Sequence, residues 1–116
     1  MNPTRIYTSA EHFQASLGEP IRSVITESPD ATVVAWHVNP GQTIAAHVHP
    51  RGQDTWTILS GQGDYKVHAS GESRTIVAGD VVLARTGDVH GVTNRGSEPL
   101  RFISVVSPAD AGYEPL

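Results

Sequence analysis

The alternation of hydrophobic and polar residues predicts a protein built almost entirely of short β-strands. Runs in which every second residue is apolar recur between turns rich in glycine, proline and aspartate. These runs read RSVITE, ATVVAWHV, TIAAHVH, TWTILS, DYKVHA, SRTIVA, DVVLA, HGVTN and LRFISVV. Eight or nine short strands joined by tight turns are typical of a β-sandwich or a small barrel, and they favour the jelly-roll class.

Before the first strand, the apolar residues of residues 9–17 follow the spacing of a helix and not that of a strand. Phe13 and Leu17 lie four positions apart, which places them on the same face of a helix. Ser9 is a suitable cap before them, and Gly18 is a suitable end after them. The sequence therefore predicts one short N-terminal helix over Ser9–Leu17.

The length of the chain, 116 residues, suits one domain with a single hydrophobic core. We expect residues 1–38 to hold the helix and the first strands. Residues 39–107 are expected to form the core of the barrel. Residues 108–116 have no strand pattern, and we expect them to form an irregular tail.

Composition and charge narrow the classes of function. The formal net charge is −4 and the basic residues are scattered, which argues against nucleic acid as a partner. The chain has no cysteine, so disulfides and thiolate chemistry are excluded. No apolar run is long enough to span a bilayer, and the N-terminus lacks the apolar core of a signal peptide. We therefore expect a cytoplasmic protein with no membrane partner.

Two histidines one residue apart supply the first candidate chemistry. In a strand, His47 and His49 point to the same face, with backbones about 6.5–7 Å apart. Their ring nitrogens can then reach one ion at about 2.0–2.2 Å. Asp54 after a turn and His90 on a later strand can complete a set of four ligands. Two ordinary surface histidines remain the alternative interpretation of the pair.

The stretch around these histidines resembles the first motif of the cupin superfamily. That motif is glycine, five residues, His-x-His, three or four residues, glutamate, six residues and glycine. The chain matches it from Gly41 through His47 and His49 to Gly61, with Asp54 in place of glutamate.

The second cupin motif is also matched. It is glycine, five residues, Pro-x-Gly, two residues, histidine, three residues and asparagine, and here it runs from Gly79 through Gly87 and His90 to Asn94. Arg85 replaces the proline. Arg85 is either solvated or lies at the mouth of the cavity, where it would attract an anionic substrate.

The resemblance implies a double-stranded β-helix, or jelly-roll barrel, with one divalent transition metal (Fe, Mn, Ni, Co, Cu or Zn) inside. His47, His49 and His90 are the implied nitrogen ligands, and Asp54 corresponds to the acidic fourth ligand. Aspartate is one methylene shorter than glutamate, so Gln53 is an alternative ligand. The choice matters for the whole strand, because a shift of one residue exchanges its faces.

The resemblance also implies classes of function and of partner. The favoured class is a metal-dependent enzyme acting on a small organic molecule, of oxygenase, isomerase or decarboxylase type. The alternatives are a non-enzymatic small-molecule or sugar-binding sensor and, more remotely, a metal-free sugar epimerase. A homodimer is expected, in which the strand RSVITE (residues 22–27) covers an open sheet edge.

Overall fold

The structure is a computed structural model that describes residues 4–116, and it contains ten strands in two five-stranded antiparallel sheets over this range. The strands are β1 (Ser23–Glu27), β2 (Thr32–Val38), β3 (Thr43–Val48), β4 (Gln53–Ser60), β5 (Gln62–Lys66), β6 (Ser73–Val77), β7 (Val81–Ala84), β8 (His90–Thr93), β9 (Leu100–Ser107) and β10 (Glu114–Pro115). The sheet orders are β1-β2-β9-β4-β7 and β10-β3-β8-β5-β6. The predicted jelly-roll architecture is confirmed.

Hydrophobic side chains from both sheets meet to form the core. On β4 the buried residues alternate with more exposed ones, so that Asp54, Trp56 and Ile58 all face inward. The Trp56 ring stacks on Phe102 of β9 with centroids 4.2 Å apart. One face of β4 therefore carries both a core aromatic residue and, two residues earlier, a buried carboxylate.

The predicted N-terminal helix is wrong. Within Ser9–Leu17 only Ser9–Glu11 forms helical structure, and that is a single 3-10 turn. The chain then runs along the loop that joins β2 to β3. There the side-chain amides of Asn39 and Gln42 donate to the Ser16 carbonyl at 3.0 and 2.9 Å. A helix of two turns has little stability of its own, and these side-chain contacts stabilise the extended path instead.

The C-terminal residues also differ from the expected irregular tail. Glu114 and Pro115 form β10, which pairs antiparallel with β3 opposite Val48 and His47. A strand of two residues has no readable period, so the sequence pattern does not reveal it. The free edge of β3 recruits this segment by offering unpaired backbone groups.

Two motif glycines lie in turns whose backbone conformation favours glycine. Gly61 and Gly79 have φ of +79° and +95°, values that glycine adopts without the steric cost of a Cβ. At Gly61 an added Cβ would also lie 2.3 Å from the Pro99 carbonyl oxygen. The turn between β4 and β5 therefore requires glycine.

The open edge of one sheet is where the expected homodimer would form. β1 is an edge strand of its sheet, where the expected dimer would pair, and the dimer stays a prediction.

Within residues 4–116 no helix has the length and apolar character needed to cross a membrane.

Candidate metal centre

Four side chains from both sheets converge at one buried point. His47 on β3 and His90 on β8 are direct cross-strand partners, with ring centroids 4.1 Å apart. His49 follows β3, and Asp54 arrives from β4 in the opposite sheet. Each of the four offers a ligand atom within 4.8 Å of the others, and all four are buried. We refer to His47, His49, Asp54 and His90 as the His/Asp cluster.

Small residues allow the strands to approach at this point. Gly91 follows His90, and a Cβ there would lie 2.7 Å from the carbonyl oxygen of Ile44 on β3. The register between β3 and β8 also shifts between Ile44 and His47. This irregularity re-aims the side chains that follow it. Glycine and the register shift together bring the histidines of the two motifs side by side.

The loops of the two motifs are tied to each other. The Thr86 hydroxyl donates to the Gly52 carbonyl at 2.7 Å. The backbone N–H of Gly87 donates to the His49 carbonyl at 3.0 Å. The two loops that carry the cluster are thus tied together by hydrogen bonds that do not depend on a metal.

All three imidazoles use the same nitrogen to bind the backbone. A carbonyl oxygen can only accept, so each Nδ1 carries the proton and each Nε2 is directed to the cluster. Ala45, Gly112 and Asp88 supply the carbonyls for His47, His49 and His90, at 2.7, 2.6 and 3.0 Å respectively. Hydrogen bonds of this kind fix the orientation of metal-binding histidines.

Asp54 completes a donor set with the spacing that one ion needs. Its Oδ2 lies 3.4 Å from His49 Nε2 and 3.3 Å from His90 Nε2. Two ligand atoms each about 2.1 Å from one ion are roughly 3.0–3.4 Å apart at octahedral or tetrahedral angles. The Ser104 hydroxyl donates to Oδ1 at 2.5 Å and so fixes the carboxylate. These residues fit a single transition-metal ion.

Burial and hydrogen bonding shift the pKa values of three members of the cluster. Burial lowers the pKa of His47 to about 4, so this ring is neutral at pH 7. The hydrogen bond to Asp54 raises the pKa of His49. Burial alone would raise the pKa of Asp54, but its close contacts with His49 and His90 and the hydrogen bond from Ser104 outweigh burial and leave that pKa lowered. Protons therefore compete with a metal ion for His49 more strongly than they would for an ordinary histidine.

The structure decides between the two candidates for the fourth position. Gln53 is exposed, and its side chain lies on the opposite face of β4 from Asp54. The structure therefore places Asp54, and not Gln53, in the His/Asp cluster. Aspartate is long enough here because β4 passes close to the histidines, as the 3.3 Å separation from His90 shows.

His37 and His68 lie away from the cluster. His37 is buried, but its Nδ1 accepts from Arg101 Nε at 3.0 Å, which gives it a structural role. His68 is exposed and pairs with Glu72 at 3.1 Å. Asn94, the last residue of the second motif, also has a structural role, since its amide donates to the Val38 carbonyl at 2.9 Å.

Three contributors to the site are missing from the sequence analysis. Ser104 and the Gly112 carbonyl have no motif that marks them. Arg22 is exposed at the mouth of the cavity and lines it. Arg85 is also exposed but does not line the cavity, and its backbone N–H binds the Asp88 side chain. The inward face of β9 gives a weak signal for Ser104, because it lies two residues after the core residue Phe102.

A cavity of about 290 Å³ opens onto the cluster. His47, His49 and Asp54 form part of its wall, and Tyr113 covers His47 with ring centroids 4.8 Å apart. A small molecule in the cavity would thus contact the cluster directly.

The C-terminal residues form part of the support of His49, and removing them tests this. We expect a chain that ends at Ala111 to bind metal about 10–100-fold more weakly, because it lacks the Gly112 carbonyl that orients His49. Dissociation constants measured by competition with a chromogenic chelator check this. A chain that ends at Pro115 keeps Gly112 and serves as the matched control. Equal affinity of the two shortened chains would contradict the role of Gly112.

The double-stranded β-helix with a buried His/Asp cluster defines a class: small β-barrel proteins with a candidate site for one metal ion. A family model described as Cupin domain matches residues 34–106. The chain belongs to the cupin family, as the two motifs predict.

Known relatives agree with this family. A solved structure from Klebsiella pneumoniae with a double-stranded β-helix domain is 49% identical, with a TM-score of 0.94 and 97% of each chain covered. The oxalate-binding protein of Thermotoga maritima is 33% identical over 67 residues, which are 58% of this chain and 54% of that protein. Germin-like protein 5-1 of Oryza sativa subsp. japonica is 32% identical over 80 residues, 65% of this chain and 35% of that protein. The chain thus spans about half, or about a third, of the length of these two curated relatives.

Proposed function

We propose that this cupin is a metal-dependent enzyme that acts on a small organic molecule, of oxygenase, isomerase or decarboxylase type. One observation carries the proposal. Three imidazoles are held through Nδ1 by backbone carbonyls, and their Nε2 atoms face one carboxylate beside an open cavity. Such pre-oriented ligands are typical of a metal centre. A divalent transition metal would supply Lewis-acid or redox chemistry to a bound oxygen function.

The chain's own residues have defined roles in this proposal. The histidines serve as ligands and not as bases, because Nδ1 is occupied and Nε2 faces the cluster. Asp54 is kept ionised and fixed by the Ser104 hydroxyl. The cavity admits substrate on the side of His47 and His49. No second carboxylate lines this cavity among the described residues, so Asp54 is the one acidic group at hand.

Metal content and turnover test the proposal together. We expect about one transition-metal ion per chain after reconstitution, measured by elemental analysis, and none in the double variant His47→Ala plus His49→Ala. The loaded protein is then assayed with Fe, Mn, Ni, Co, Cu or Zn against diketones, phenols, keto acids and sugars. Turnover of one class by one metal form supports an enzyme. Wild-type protein that retains no metal after reconstitution contradicts the proposal.

A binding protein is the second candidate, and one observation favours it. The curated relative from Thermotoga maritima is named an oxalate-binding protein, and the match to it covers 58% of this chain. In that case the same metal-loaded protein would bind one member of the panel tightly and convert none of them.

A further inference from the structure

The cavity beside the His/Asp cluster has a strongly apolar side. Its volume of about 290 Å³ lies just below the range of about 300–1,000 Å³ found for ligand pockets. The apolar side consists of Val34, Trp36, Ile44 and Val106. Trp36 is held in place by stacking on Phe102, with centroids 6.4 Å apart and ring planes at 27°. The cavity therefore suits a compact molecule with an apolar body better than a nucleotide or an oligosaccharide.

A single arginine adds positive charge to this wall. Arg22 lies just before β1, and it lines both the cavity and an adjoining groove of about 580 Å³. No other arginine or lysine of residues 4–116 lines either space. His49 also lines both spaces, so Arg22 and the cluster meet where the cavity opens into the groove.

The carboxylates that share these walls are committed elsewhere. Asp54 accepts from Ser104 through Oδ1, and its Oδ2 faces the histidines. Asp110 lines the groove, but it pairs with Arg51 at 2.7 Å. Within residues 4–116 the arginines found in ion pairs are Arg51 and Arg95, not Arg22. Arg22 thus presents an uncompensated charge beside an apolar wall.

We propose that the ligand of this site is a small carboxylate with an apolar body, and that Arg22 binds its carboxylate. At the other end of the ligand, an oxygen-containing group faces the metal in the His/Asp cluster, and this part of the proposal rests on the proposed function. The guanidinium fork matches a carboxylate with two parallel N–H donors. The apolar body lies against Trp36 and Val34. Arg22 is thereby a specificity-determining residue of the site.

Matched pairs of acids and amides separate the contribution of Arg22 from that of the metal. Benzoate and benzamide have nearly the same shape, and so do phenylacetate and phenylacetamide, but only the acids carry a charge. A metal ion also attracts anions, so each pair is titrated into both metal-loaded and chelator-treated protein. A preference for the acid that persists without metal must come from the chain itself.

We expect at least one acid to bind about tenfold more tightly than its amide in both forms of the protein, as one charge-assisted interaction provides. Isothermal titration calorimetry measures the ratio. The intrinsic fluorescence of Trp36 and Trp56, compared between wild type and Trp56→Phe, reports occupation of the cavity that Trp36 lines. Arg22→Gln should reduce the ratio in chelator-treated protein to about one and leave the metal content unchanged. Arg85→Gln, which changes an exposed arginine outside the cavity, should preserve the ratio.

Two results would overturn the assignment of Arg22. One is that no acid binds better than its amide in chelator-treated wild-type protein. The other is that Arg22→Gln keeps the full preference there. Neither result affects the metal stoichiometry, so the proposed metal-dependent function would stand. Conversely, wild-type protein that binds no metal would overturn that function, while the chelator-treated titrations would still decide the role of Arg22.

Discussion

His90→Ala is expected to bind transition metal at least about 100-fold more weakly than the wild-type protein. Loss of a residue that merely orients a ligand costs about 10–100-fold, and this change removes a ligand itself. His90 is fully buried, faces Asp54 at 3.3 Å and is the cross-strand partner of His47. No other histidine of residues 4–116 lies in the cluster to replace it. Chelator competition gives the affinity, and elemental analysis gives the stoichiometry.

The matched control for this variant is His68→Ala. His68 is exposed and pairs only with Glu72, so its loss should leave metal content and affinity unchanged. Thermal unfolding of both variants in chelator shows whether the barrel is still formed. A folded His90→Ala protein that binds metal as tightly as wild type would refute the assignment of the cluster as a metal centre.

Acidification is expected to release the metal over a range set by His49. Below its raised pKa, His49 holds a proton that competes with the ion, so this proton should weaken the affinity by up to about tenfold for each further pH unit. His47 does not add to this loss until the pH approaches its own pKa of about 4. Metal affinity measured by chelator competition from pH 8 to pH 5 checks the trend.

The proton on His49 that weakens metal binding stabilises the fold of the metal-free protein. Because the pKa of His49 is raised on folding, its contribution to the free energy of unfolding is complete below pH 6.5 and is lost as the pH rises through the raised value. Asp54 behaves inversely: its lowered pKa stabilises the fold above the ordinary value and loses this effect only in strong acid. Circular dichroism at pH 5 is the control for folding. A metal affinity that does not change between pH 8 and pH 5 would contradict the prediction.

The site explains why aspartate can stand where the cupin motif has glutamate. Ser104 on β9 is paired in register with Trp56 on β4, and its hydroxyl holds the inward carboxylate at 2.5 Å. The shorter side chain thus gains a partner that fixes it. We infer that Ser104 is part of the adaptation to aspartate at position 54.

The sequence by itself determined nine of the ten strands and the three histidines of the cluster. Alternation along β4 already places Asp54, Trp56 and Ile58 on one face, because side chains of a strand alternate strictly. The spacing of the glycines identifies residues 41–61 and 79–94 as the two cupin motifs. The resemblance then implies that His90 of the second motif joins the His-x-His pair of the first. These features are local in the chain or repeated in a family, so they can be read without coordinates.

Only the tertiary structure decided the rest. The helix predicted over Ser9–Leu17 is lost because side chains from a distant loop bind that segment. Gln53 was separated from Asp54 as a candidate by the face that β4 turns to the histidines. Arg22 and the Gly112 carbonyl reached the site from opposite ends of the chain. Such contacts join residues far apart in sequence and carry no periodic signal, so their physical cause, the closure of the two sheets around one cavity, exists only in the folded protein.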